Sequence, residues 1–199
     1  MFKTIAIGLS LLSVGFVYAD NKFKSGQYEF IKMAVTPDHR IEGYYFEEMG
    51  EGVTRRCDFF FEGKINDKGK TYIKTHSVDT IDGVLTTDMD GLLLEMADDH
   101  PGCASVSGGQ AKYGLSVSLL EPKNWIGIGV VKVDKIYLQS TAVNGTEGKV
   151  YIVKNDTFGI TEVNDTHTLI EYINPNTDKS YKGWIKNSSY MSVKEAMGQ

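Results

Sequence analysis

Only two cysteines occur among 199 residues, and the chain contains neither Cys-x-x-Cys nor His-x-x-x-His. Zinc sites usually betray themselves by one such local pair, so no metal centre and no cofactor are expected. Gly-x-Ser-x-Gly is absent, as is a glycine-rich loop ending in Gly-Lys-Ser/Thr, which removes the motif-bearing hydrolases and nucleotide binders. There is no basic stripe. With a formal charge of -5 and dispersed acidic residues, nucleic acid and anionic lipid are not expected partners. Beyond the first nineteen residues no apolar run is long enough to cross a bilayer, so the mature chain is not expected to insert in a membrane.

What is present begins with an address. Met1-Phe2-Lys3 is a short basic start, Ile5 to Val17 is apolar, and Val17-Tyr18-Ala19 places small residues where a signal peptidase reads them. Residues 1–19 therefore read as a cleavable secretory signal peptide, and the mature chain starts at Asp20 in the periplasm or outside the cell. In such an oxidising compartment, Cys57 and Cys103 read most simply as one disulfide. The alternative use of Cys103 is as a thiol nucleophile, with His100 three residues before it. Asp98, Asp99 and His100 form the densest group of potential metal ligands, and their ordinary reading is a solvated loop before the disulfide.

The mature sequence reads as all-β. Short runs rich in Tyr, Phe, Val, Ile and Thr are punctuated by Gly, Asn and Asp. Strands are expected near residues 27–35, 41–47, 55–63, 70–76, 81–87, 92–96 and 115–119. Further strands are expected near 135–139, 149–154, 158–163, 168–173 and 182–186, with a turn or two of helix only in 190–197. Within 55–63, Cys57, Phe59 and Phe61 alternate onto one face, which leaves Phe60 as an apolar residue on an otherwise polar face. Asp88-Met89-Asp90-Gly91 reads as a hairpin turn. Glu121-Pro122-Lys123-Asn124 breaks the pattern, which suggests a disulfide-stapled domain over 20–120, a linker over 121–130 and a second domain over 131–199. The first domain reads as an antiparallel meander curled into a small barrel or sandwich.

The second segment carries a recognisable order of motifs. Asp134 to Thr141 forms an opening strand and a polar loop follows through Gly145 and Gly148. Lys149 to Asp156 comes next, with Phe158–Val163 and Thr168–Ile173 as central strands. Lys182-Gly183-Trp184-Ile185-Lys186 supplies a glycine, an aromatic and an aliphatic in the last long strand, and Tyr190-Met191 a closing short one. In that order the segment resembles a bacterial Src-homology-3 (SH3-like) domain. The resemblance implies a small, strongly bent barrel, and a module that in exported bacterial proteins often binds cell-wall peptide or another protein. Leu169 and Lys186 stand where polyproline-binding members have a tryptophan and a proline, so a polyproline ligand is not implied. Tyr137, Tyr172, Tyr181, Trp184 and Tyr190 are the candidate contact aromatics. In the first domain, Gly43-Tyr44-Tyr45, the run Cys57 to Ile65, Asp99 to Cys103 and Gly108-Gly109 resemble uncharacterised exported bacterial β-proteins.

The expectation is a two-domain, all-β, non-enzymatic binding protein whose partner is an envelope protein or a peptidoglycan peptide. Inhibition or immunity is one use of such binding. Two alternatives stay open: a small cell-wall hydrolase with an SH3-like targeting module, and a lipocalin-like carrier of an apolar ligand.

Overall fold

The computed structural model describes residues 23–51, 54–66, 69–143 and 145–198. The signal peptide expected over 1–19 lies outside the described residues. The chain is all-β and carries two sheets. Eight strands, β1 (Gly26–Tyr28), β2 (Ile31–Val35), β3 (Arg40–Met49), β4 (Arg55–Lys64), β5 (Lys70–His76), β6 (Thr80–Asp88), β7 (Gly91–Met96) and β8 (Leu115–Pro122), form a closed antiparallel barrel in sequence order. Between β7 and β8 lie a 3₁₀ turn, Cys103–Ser105, and α1 (Gln110–Tyr113). The second sheet contains β9 (Gly127–Val131), β10 (Lys135–Gln139), β11 (Glu147–Val153), β12 (Thr157–Val163), β13 (His167–Ile173), β14 (Ser180–Lys186) and β15 (Tyr190–Ser192). Its order is β11-β10-β14-β13-β12-β9-β15. A 3₁₀ turn, Asn187–Ser189, precedes β15, and α2 (Val193–Ala196) follows it.

The barrel follows from period-two patterning. β5 alternates Thr71, Ile73 and Thr75 inward with Lys70, Tyr72 and Lys74 outward, and β7 sends Leu92, Leu94 and Met96 inward. Cys57, Phe59 and Phe61 of β4 point inward as the alternation requires. Tyr45 stacks on Phe59 with ring centroids 4.7 Å apart, and Gly43 lies against the Phe61 ring, where a Cβ would collide with it. The β6–β7 turn is Met89-Asp90, with Asp88 paired to Gly91. Whether the first domain is a barrel or a sandwich is decided by β1 pairing with β8, which closes the sheet and leaves it no free edge.

Residues 97–114 close the end of the barrel where β5 stops and β6 starts. Val106 and Ala111 join the barrel core, and Cys103 is bonded to Cys57 of β4. His100 is buried in this segment, its ring 5.0 Å from that of Phe59. Thr75 donates its hydroxyl proton to the Ile81 carbonyl at 2.9 Å, so at 2.8 Å it accepts from His100 Nε2–H. That assigns the tautomer and leaves Nδ1 as a buried lone pair with no hydrogen-bond partner among the described residues. Burial first, and His76 second, hold the imidazole below its usual range, against the carboxylates of Asp79, Asp99 and Asp58. A group held low in this way is neutral in folded and unfolded chains above about pH 6.5. Below that value the unfolded chain takes the proton first, so stability falls with pH down to the folded value. Thermal melts at about pH 7.5 and about pH 5 should therefore converge in His100→Gln, which keeps a donor for Thr75, relative to wild type. An equal pH response in both proteins would assign the effect elsewhere.

The two sheets share a junction. Trp125, Ile128, Ala34 and Val193 are all buried together, with Phe60, Ile173 and Met197 packed against them. Phe60, unexplained by the β4 pattern, faces outward because this junction covers it. Stretch 121–130 carries the end of β8, Trp125 and the start of β9 inside the folded junction. The Trp125 indole lies directly over Gly159 of β12, where any side chain would strike the ring. Its Nε1 donates to Glu171 Oε2 at 2.9 Å. Glu171 also accepts from Lys123 Nζ (3.0 Å) and Ser180 Oγ (2.6 Å). Burial pushes this carboxyl up, but hydrogen bonds from Ser180, Lys123 and Trp125 outweigh it and hold the group below its usual range. On the other side, Lys32 of β2 donates to the Thr157 carbonyl and hydroxyl, each at 3.1 Å. Burial lowers its pKa to about 8, opposed by the Asp156 carboxylate.

Candidate functional site

The five aromatics chosen from the sequence divide into two groups. Tyr172 is 8% exposed and belongs to the core of the second sheet, where burial and then the Asp156 carboxylate raise its hydroxyl to about 12. Tyr190 packs edge-on against Phe158 at 5.5 Å, and its hydroxyl lies 3.0 Å from that of Thr168. Tyr181 is half-buried and packs against the same core. These three hold the sheet together.

Tyr137 and Trp184 occupy the opposite face. On β10, Ile136 and Leu138 turn into the core, so Lys135, Tyr137 and Gln139 turn away from it. Gln139 is paired with Trp184 of β14, and Trp184 with Leu169 of β13. Tyr137 is paired with Tyr151 of β11, and their rings meet edge-on at 5.7 Å. Cross-strand partners project from the same side of a sheet, so Tyr151, Tyr137, Trp184 and Leu169 share one face of four neighbouring strands. Tyr151 is 49% exposed and Val153 beside it is exposed too. The sequence reading passed over Tyr151. The signal available was its parity with Val153 and Lys149 on the same strand, opposite the inward Val150 and Ile152.

A cation completes the face. Lys135 Nζ lies 3.8 Å from the Tyr151 ring centroid and 4.6 Å from that of Tyr137. Its hydrogen bond to Tyr137 is the main cause that raises its pKa, so it is charged under all ordinary conditions. Lys182 and Lys186 flank Trp184 along β14, and Lys149 lies two residues from Tyr151. Lysines next to amphipathic rings on an open sheet can do two things: stack on planar or apolar groups, and pair with carboxylates.

Other concavities and clusters offer less chemistry. A shallow trough of about 820 Å³ runs over the outer wall of β5 to β7, lined by Lys70, Tyr72, Lys74, Asp82, Glu95 and Lys112 among others. Two of its lysines are already engaged, Lys74 with Asp82 at 2.8 Å and Lys112 with Asp98 at 2.9 Å. Asp98 is thereby tied into a surface ion pair. Cys103 is bonded to Cys57, so the thiol needed for the nucleophile alternative is consumed. Among the described residues no group of three or more His, Cys, Asp or Glu side chains is placed to hold a metal, and no helix is long and apolar enough to cross a membrane.

No family model, curated protein or solved structure matches the chain.

Proposed function

We propose that this is an exported bacterial binding protein that recognises an envelope protein or a cell-wall peptide through the outer face of its second sheet. The observation that carries the reading is the row of exposed Tyr151 and half-buried Tyr137 and Trp184, with Lys135 held against two of the rings. Rings with few rotatable bonds and amphipathic edges are the side chains that most often anchor a partner. The signal-peptide pattern and the Cys57–Cys103 bond are compatible with work in an oxidising compartment. The closing short strand that an SH3-like resemblance implies has a counterpart in β15, which pairs with β9, in a sheet whose end strands β11 and β15 do not pair with each other.

The carrier alternative draws less support, because the barrel interior is filled. Tyr45, Phe59, Phe61, Leu85 and Leu94 are each 1% exposed or less and lie in one continuous core. Inhibition of, or immunity to, an exported enzyme is one use of such recognition.

The test is capture from periplasmic extract together with co-sedimentation on purified peptidoglycan. Wild type should retain a partner in one of the two. The double variant Tyr137→Ala/Trp184→Ala should lose it by roughly tenfold or more while keeping its melting temperature, since both side chains stand outside the core. No retention by wild type in either assay would remove the proposal.

A further inference from the structure

The outer face of the second sheet is basic in a protein that is otherwise acidic. On β11, β10 and β14 it carries Lys149, Lys135, Lys182 and Lys186 against one exposed carboxylate, Glu147; Glu162 of β12 lies at its margin beside Leu169, and Glu171 of β13, paired with Lys182, is buried. The whole chain has a formal charge of -5. Among the described residues no carboxylate lies within ion-pair reach of Lys135, Lys149 or Lys186. Lys182 approaches Glu171 only at 3.9 Å, and Glu171 is already held by Lys123 at 3.0 Å.

Lys135 differs from an ordinary surface lysine. Two tyrosine rings on neighbouring strands confine its ammonium, at 3.8 and 4.6 Å from their centroids. A free lysine loses rotamer freedom when it engages an anion; one already held by rings loses less, so its pairing is favoured. The rings also shed no charge from it, since a cation–π contact leaves the positive charge available to a carboxylate on the open side.

From this placement we infer that the face takes an extended acidic segment of a partner protein. One carboxylate docks on Lys135, neighbouring carboxylates reach Lys182 and Lys186, and the segment's apolar groups lie on Tyr137, Tyr151 and Trp184. The inference rests on the recognition reading above and adds the chemistry of the partner. A long polyanion such as nucleic acid fits less well, because its charge would extend past four lysines in a chain whose net charge is -5. A short segment engages the four lysines alone.

The probe is a fluorescently labelled peptide of alternating Glu and Tyr, compared with its Gln-for-Glu counterpart and a single-stranded oligothymidine of equal length. Anisotropy is read on the full mature chain. The Glu peptide should bind, its Gln counterpart should bind roughly tenfold more weakly, and added salt should weaken the Glu peptide steeply. Lys135→Gln and Lys186→Gln should each weaken it several-fold, and Tyr151→Leu should resemble Lys135→Gln because it releases the ammonium. Melting temperatures should be unchanged in all three. Absence of Glu-peptide binding, equal binding of the Gln peptide, or tighter binding of oligothymidine would each overturn the acidic-partner inference. In the capture assay the two layers separate. If lysine variants retain the natural partner while Tyr137→Ala/Trp184→Ala loses it, recognition stands and the acidic class falls. If the aromatic double variant captures as well as wild type, the recognition reading itself falls.

Discussion

Removing the disulfide, as Cys57→Ala/Cys103→Ala, is expected to lower stability by about 4 kcal/mol. The bond joins residues 46 apart, and the chain-entropy account assigns that figure to a loop of this length. For a chain of this size such a loss corresponds to a fall of roughly 10 °C in Tm. The loss should not be uniform. Cys103 sits between His100, which depends on Thr75, and Val106, which enters the barrel core. Without the bond, residues 97–114 are held to β4 and β5 by that packing, by the His100–Thr75 hydrogen bond and by the exposed hydrogen bond from Arg55 to the Ser105 carbonyl. Their amides should gain hydrogen exchange first, while β2 and β3 on the far wall stay protected. Urea titrations with and without reductant give the global figure, and exchange mass spectrometry gives the location. A change below about 1 kcal/mol, or exchange rising evenly over the barrel, would contradict the account.

Trp125→Ala should cost about 3–5 kcal/mol, at the upper end for a single side chain. Trp125 is 2% exposed, and its loss opens a cavity over Gly159 and takes one of three donors from Glu171. Trp125→Phe refills part of the space but not the hydrogen bond, so it should fall between wild type and Ala. The sharper expectation concerns cooperativity. Barrel and second sheet meet through Trp125, Ile128, Ala34 and Val193, and through Lys32 on Thr157. In wild type they should unfold in one transition. With the indole removed, unfolding should separate into two, followed by far-ultraviolet dichroism and by the fluorescence of the remaining Trp184 on the second sheet. A single transition with a lowered midpoint would mean that the junction is held by its other members.

The strands were legible where one face is wet. Lys70–His76 and Lys135–Gln139 fall at the bounds the alternation implies, because outward lysines and tyrosines mark every second position. β9 was not legible as a strand. Gly127 to Val131 is buried at every position, so alternation vanishes and its glycines imitate a loop. The expected strand over 27–35 divides at Glu29-Phe30 into β1 and β2, since β1 must leave β2 and pair with β8. Phe60 announced a covered outer wall without saying what covers it; the answer, α2 and the junction, lies far along the chain. The same difficulty governs the aromatics. Trp184 and Tyr172 look alike in sequence, but odd and even positions of β13 and β14 meet opposite surroundings only once the pairing of Leu169 with Trp184 is known.

Every pairing in the barrel but one joins neighbours along the chain. Six of these contacts are hairpins that can form, and correct their register, within short stretches of polypeptide; the seventh, β7 with β8, spans residues 97–114. The exception brings Gly26 beside Pro122 through a strand of three residues with an irregularity after Gln27. That seam is the slow step this topology imposes: the local pairs form first, and only then can the first and eighth strands find each other. Until then two strand edges stand open to any neighbour, so the hazard for this protein is greatest while the barrel is unsealed and ends when the ring shuts.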